Sequence, residues 1–110
     1  MRTKEDVIAY CSSLPGAYED YPFKDTNWTL MRHSRGNRAF AFIFEREGRV
    51  WVNVKSDPEE KYYWLEHFAS VQPAYHMNKK YWLSVILDGT LSDSELKSLL
   101  DASYALTKKK

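Results

Sequence analysis

The chain has 110 residues, enough for one domain with a single hydrophobic core and too few for two. Aliphatic and aromatic residues make up 44% of it and charged residues 28%, an ordinary globular composition that excludes a disordered chain. The formal charge is +1, but Lys108, Lys109 and Lys110 supply three of the sixteen basic residues. Without them thirteen basic residues face fifteen acidic ones, so the body is not a basic domain and any nucleic-acid contact must rest on local clusters of Lys and Arg.

Residues 1–20 alternate charged with apolar residues, which excludes a signal peptide, and nowhere do about eighteen apolar residues run together as a membrane span requires. The expected compartment is the cytoplasm. Cys11 is the only cysteine, so no internal disulfide and no cysteine-based zinc site is expected, and a free thiol suits a reducing interior.

In chain order, Thr3 and Asp6 form a capping-box pattern, and Val7, Ile8, Cys11 and Leu14 follow at helical spacing. Pro15-Gly16 ends that helix. Ala17 to Phe23 reads as a short extended piece, with Pro22 favouring a sheet edge or a strand end. Trp28 to Arg32 is a strand leading into a polar loop, His33 to Asn37. Arg38 to Phe44 resumes as a central strand, with Phe40, Phe42 and Phe44 on one face and Ala39, Ala41 and Ile43 on the other. Glu45 to Arg49 is a hairpin loop with Gly48 at a position of positive φ. Val50, Val52 and Val54 then face the core, while Trp51, Asn53 and Lys55 share the opposite face.

Asp57 caps a second helix with Pro58 at its first position, two glutamates in the first turn, and an apolar side of Tyr62, Leu65 and Phe68. That helix ends before Pro73. Trp82 to Leu87 is a strand and Asp88-Gly89 a tight turn. Ser92 with Glu95 caps the last helix, whose buried stripe is Leu96, Leu99, Leu100, Ser103 and Leu106. Residues 108–110 read as a solvated tail to a single domain spanning 1–110. Strands grouped between helices, rather than alternating with them, predict an α+β fold: a single antiparallel β-sheet with helices packed on one face and the other face partly open.

These residues also resemble a known family. Leu14-Pro15-Gly16, Pro22-Phe23, Phe40-Ala41, Val52-Asn53-Val54-Lys55, Pro58-Glu59, Pro73-Ala74-Tyr75-His76-Met77-Asn78-Lys79-Lys80 with Trp82, Leu87-Asp88-Gly89 and Ser103-Tyr104 occur in the order of the MmcQ/YjbR family. The resemblance spans nearly the whole chain. It implies a frataxin-like, CyaY-type arrangement, and it implies DNA binding on the strength of fold and surface charge. The chain departs from the pattern at Lys24, where the family often has glycine, and at Tyr81, where histidine is common.

The stretch from Gln72 to Trp82 concentrates the chemistry. Lys55, Tyr75, His76, Asn78, Lys79, Lys80 and Trp82 form a candidate nucleic-acid surface, since ammonium groups offset phosphate charge, rings stack on bases and a carboxamide reads edges or backbone. The structural alternative makes Pro73 to Met77 a buried turn, with His76 on a backbone carbonyl and Trp82 plugging the core. If Lys79 and Lys80 lie on a strand, they point to opposite faces and one of them is merely solvated. Arg32, Arg35 and Arg38, with no acid between Thr26 and Phe44, form either a wing that tracks a nucleic-acid backbone or a solvated loop.

A metal site is not expected, because His33, His67 and His76 have no ligand spacing and Glu5 with Asp6 is thin for an iron ridge. Neither a catalytic residue nor a cofactor is expected: Cys11 sits on an apolar stripe, no glycine-rich phosphate loop occurs, and nothing orders His76 with Asp88 or Tyr75 as an acid–base pair. The expected function is a non-enzymatic binding module for nucleic acid. The alternative is a small ligand, a protein partner or self-association, with Trp51 on the open sheet face as the point of contact.

Overall fold

Side-chain caps set where the helices begin. The Thr3 hydroxyl accepts the Asp6 amide at 3.1 Å while the Asp6 carboxylate accepts the amides of Arg2 and Thr3, opening α1 (Lys4–Ser12). Asp57 accepts the Glu59 amide at 2.9 Å and, with Pro58, opens α2 (Pro58–His67). Ser92 and Glu95 exchange bonds of 3.1 and 2.9 Å and open α3 (Asp93–Thr107). In the computed structural model, which describes residues 1–109, six strands accompany them: β1 (Ala17–Asp20), β2 (Thr29–His33), β3 (Ala39–Arg46), β4 (Arg49–Lys55), β5 (Val71–Pro73) and β6 (Trp82–Ile86). Lys110, the end of the expected tail, lies outside the described residues.

The strands form one antiparallel sheet in the order β1-β2-β3-β4-β6-β5, so the fold is α+β as expected. Alternation puts Met31, Ala41, Ile43, Val52, Val54, Leu83 and Val85 on the inner face, where Val7 and Cys11 of α1 and Leu96, Leu99 and Leu100 of α3 close the core. Burying each Val, Leu, Ile or Met side chain of this set contributes about 1.5–3 kcal/mol. Cys11 is fully buried and its thiol is pushed up to about 12, first by desolvation and then by the Asp101 charge. It belongs to the core.

Several local expectations change in tertiary context. Phe40 does not share a face with Phe42 and Phe44. Met31 pairs with Ala41 but Arg32 pairs with Ala39, so Phe40 is the extra residue of a β-bulge that turns it inward. Its ring packs edge-on against Tyr104 of α3 at 5.3 Å. The next rung of the β3–β4 ladder is bridged by the helix: the Ser103 hydroxyl donates to the Phe40 carbonyl and accepts the Lys55 amide at 2.8 Å.

His33, expected in a loop, closes β2 and is buried, with Nε2 2.8 Å from Thr107 Oγ1. That hydroxyl gives its proton to the Ser103 carbonyl at 2.8 Å, which leaves His33 as the donor. Thr107 therefore takes the buried position on α3, four residues after Ser103, and Leu106 is turned out to 44% exposure. The β3–β4 connection is tighter than a five-residue loop, because Arg46 and Arg49 still pair and only Glu47 and Gly48, both at positive φ, make the turn. Helix α2 packs chiefly along β5 and buries no residue completely; Leu65 and Phe68 are half-buried, but Tyr62 is 62% exposed.

The outer face is not left open. Residues 74–81 cross it, held by a ring of hydrogen bonds: the Tyr75 amide donates to Ser84 Oγ at 2.8 Å, the Ser84 hydroxyl donates to Asn53 Oδ1, and Asn53 Nδ2 donates to the Tyr75 carbonyl at 2.9 Å. Asn53 and Ser84 are paired neighbours on β4 and β6, and both are fully buried.

Three outcomes follow from this packing. Ser103→Ala strips a partner from both the Phe40 carbonyl and the Lys55 amide and lowers stability by about 2 kcal/mol or more in urea unfolding. Asn53→Ala costs about 3 kcal/mol, and in a double-mutant cycle with Ser84→Ala the losses fall short of additive because the ring is broken once. His33 has its folded pKa held below the ordinary 6.5 by burial, with the Lys108 and Arg38 charges acting in the same direction. Below pH 6.5 the unfolded imidazole takes up a proton that the folded one refuses, so wild-type stability falls towards lower pH at up to about 1.4 kcal/mol per unit. The pH profile of His33→Gln lacks that component and runs flatter from pH 6.5 down to the folded value.

Candidate functional site

The central stretch builds its site by crossing the outer face and turning back into β6. Ala74 is buried, and pinning of the Tyr75 backbone by Asn53 and Ser84 places the Tyr75 ring in a stack with Phe44 at 5.7 Å. Trp28 stacks on the same Phe44 at 4.2 Å. Arg46 lays its guanidinium over both Tyr75 and Trp51, at 4.3 and 4.7 Å from the ring centres. Trp51 is consequently only 5% exposed, so the expected contact through it fails: the motif and Arg46 already cover that ring.

Beyond Tyr75 the chain leaves regular geometry. His76 is exposed and holds a left-handed φ of +58°; its ring tilts against Tyr75 at 4.0 Å, and it makes no bond to a backbone carbonyl among the described residues. Asn78 is committed to the turn, its Oδ1 accepting the Lys80 amide at 2.8 Å and its carbonyl accepting the Trp82 amide at 3.0 Å. Lys79 and Lys80 lie in that turn rather than on a strand, so strand alternation does not separate them. Lys61 of α2 donates to both of their carbonyls, at 3.0 and 3.3 Å, and ties the turn to the helix.

The cations sort into two sets. Lys55 and Lys80 flank the exposed ring of Tyr81, with ammonium groups 6.0 and 5.4 Å from its centre, and Trp82 beside them packs edge-on against Phe42 at 5.5 Å rather than plugging the core. Lys79 is exposed beside a recess of about 370 Å³ that it shares with Gln72, Pro73, His76 and Arg46. Arg32, by contrast, is internally paired, its Nε 2.7 Å from Asp20 and a terminal nitrogen 2.9 Å from the Asn37 carbonyl. Arg35 and Arg38 are exposed on the β2–β3 turn, where Lys109 packs over Gly36. The end of β2, the start of β3, the end of β4 and the start of β6 are neighbouring rungs. The arginine turn and Lys55 thus lie at the same end of the sheet, two strand spacings or about 10 Å apart.

The sequence reading missed Phe23, Asp25 and Trp28, which with Phe42, His76 and Met77 line an outer-face groove of about 310 Å³. The signal was present in β3, whose two apolar faces required an apolar cover on each side; which residues covered the outer one depended on how the 21–28 loop folds back. Among the described residues no three His, Cys, Asp or Glu side chains converge on a possible metal position, and no helix is long and apolar enough to cross a membrane.

Comparison with known proteins bears on this arrangement. A solved structure from Deinococcus radiodurans with a DUF419 domain superposes with a TM-score of 0.87 at 34% identity, covering 100% of this chain and 81% of that one. A Pseudomonas syringae crystal structure superposes at 0.85 with 26% identity, over 96% of this chain and 99% of that one. In sequence, the uncharacterised protein YjbR of Escherichia coli K12 is 33% identical over 102 residues, which cover 93% of this chain and 84% of YjbR. The uncharacterised protein YyaQ of Bacillus subtilis is 29% identical over 98% of this chain and the whole of YyaQ. The sequence model of the YjbR family matches residues 12–106, and the chain therefore belongs to the YjbR family.

Proposed function

We propose that this domain is a non-enzymatic module that binds single-stranded nucleic acid along the outer face of its sheet. The observation that carries the reading is Tyr81, a ring 39% exposed with the ammonium groups of Lys55 and Lys80 6.0 and 5.4 Å from its centre. A base stacks on such a ring while the flanking cations meet the phosphates on either side of it. Arg35 and Arg38 on the β2–β3 turn add positive charge at the same sheet end, with Lys108 and Lys109 beside Arg35 on the helix side. A single strand fits better than a duplex, because the rings lie on a sheet surface and no helix presents them to a groove. Nucleophilic chemistry has no support from Cys11, whose buried thiol is pushed up to about 12. A free buried thiol accords with the reducing cytoplasm.

A second reading, protein association, is favoured by Tyr62 and Tyr63, which are 62% and 53% exposed on α2 beside the edge strand β5. A mass that rises with concentration in light scattering selects it.

Fluorescence anisotropy with labelled single- and double-stranded oligonucleotides, at about 50 and 200 mM salt, tests the first reading. The single strand binds more tightly and weakens steeply with salt. Lys55→Ala with Lys80→Ala makes the slope of log K against log salt shallower by about 1.4, and Tyr81→Ala lowers affinity roughly tenfold at either salt. Absence of binding at low salt, or a duplex bound as tightly as the single strand, overturns it.

A further inference from the structure

On the same outer face as the lysine-flanked Tyr81, the groove of about 310 Å³ lined by Phe23, Asp25, Trp28, Phe42, His76 and Met77 is at the small end of ligand sites, which run from roughly 300 to 1,000 Å³. Its walls are flat and braced from behind. Trp28 is stacked on Phe44 at 4.2 Å, Phe42 is held edge-on by Trp82 at 5.5 Å, and Phe23 stands edge-on to Trp28 at 6.4 Å. Such walls accept a planar guest, and the Met77 thioether adds a soft, polarisable contact.

Two polar groups stand at the rim. Asp25 accepts the Asn27 amide at 2.9 Å through Oδ1; among the described residues it forms no ion pair and its Oδ2 has no protein donor. His76 is held in a left-handed backbone conformation that is unfavourable for a residue with a Cβ, and its ring nitrogens have no hydrogen-bond partner among the described residues. The Tyr75 ring of hydrogen bonds keeps it there. Asp25, Trp28 and His76 also line an adjoining recess of about 230 Å³, so the guest can project past Trp28 towards Arg46.

A carboxylate only accepts hydrogen bonds, and its best complement is a pair of parallel N–H donors. Among flat heteroaromatic rings, that pair is a ring N–H beside an amino group, as on guanine. Adenine and cytosine place a ring acceptor at the corresponding position, against the carboxylate. We propose that the groove binds one guanine-type base, stacked on Trp28 and Phe42, with its paired donors on Asp25 and its opposite edge towards His76. The inference deepens the nucleic-acid reading and rests on it for how the base arrives, as an unpaired residue of a strand whose phosphates meet the lysines.

Calorimetric titration of the whole chain with guanosine separates the two claims, because a nucleoside has no phosphate for the lysines. Guanosine is expected to bind at one site and shift the Trp28 indole resonance. Inosine, which lacks the amino group, binds roughly tenfold more weakly, and adenosine does not bind. Asp25→Asn, at an exposed position, loses tenfold or more. No response to guanosine, or an unchanged affinity in Asp25→Asn, overturns the base assignment. Saturation by L-arginine in preference to guanosine also overturns it, giving the groove to a guanidinium guest. If guanosine is silent while oligo(dT) binds through the lysines, the groove proposal fails and the nucleic-acid reading stands. If guanosine binds while no oligonucleotide does, the groove assignment holds and the strand-binding reading fails.

Discussion

The outer face depends on three hydrogen bonds linking Asn53, Ser84 and the backbone of Tyr75. A sheet whose central strand is apolar on both sides needs two covering layers, and α1 and α3 supply only one. The second is an eight-residue crossing, 74–81, too short for a stable helix and outside the strand ladders of the sheet, so its amide and carbonyl groups need other partners. A buried carboxamide and a buried hydroxyl on adjacent strands provide those partners where the crossing meets the sheet. In the low dielectric beneath Tyr75 such bonds are strong when complete and costly when broken. The stack of Arg46, Tyr75, Phe44 and Trp28 is assembled on this point, and the groove beside it exists because the crossing has one position.

A comparable device operates at the opposite surface. The bulge at Phe40 in the β2–β3 register puts one more large ring into the core, and on the other side of β3 a single Ser103 hydroxyl of α3 bridges the Phe40 carbonyl and the Lys55 amide of β4. Helix, bulge and strand end are thereby locked together. His33, Phe40, Tyr104 and Thr107 form one packed group around that lock, with the histidine as its basic member.

The basic residues divide according to the chemistry of their head groups. Arg46 and Arg32 are structural, one placed over two rings and the other held by Asp20 and a carbonyl, uses that suit a planar, weakly hydrated guanidinium. Lys55 and Lys80 keep compact, hydrated ammonium groups beside an exposed ring. Lys61 spends its charge on two carbonyls of the turn. Counting cations along the chain could not make this division, because each outcome depends on which acid, ring or carbonyl the fold brings within reach.

The features already decided in the sequence are those set within a few residues: the caps at Thr3, Asp57 and Ser92, the Gly48 turn, the stripes Val7–Cys11 and Leu96–Leu100, and the alternation of β4. Their partners lie within one turn of helix or one step of strand, so local chemistry suffices. Tertiary structure decided the rest. It turned Phe40 inward through a bulge set by the β2 register, exposed Tyr62 and Leu106, buried His33 and Trp51, and brought Phe23, Asp25 and Trp28 against His76 and Met77. The last contact spans about fifty positions of chain, from one loop before β2 to another before β6. Such contacts are fixed by strand order and by the hydrogen bonds that seat a loop on a sheet, and neither is encoded in the periodicity of any single segment.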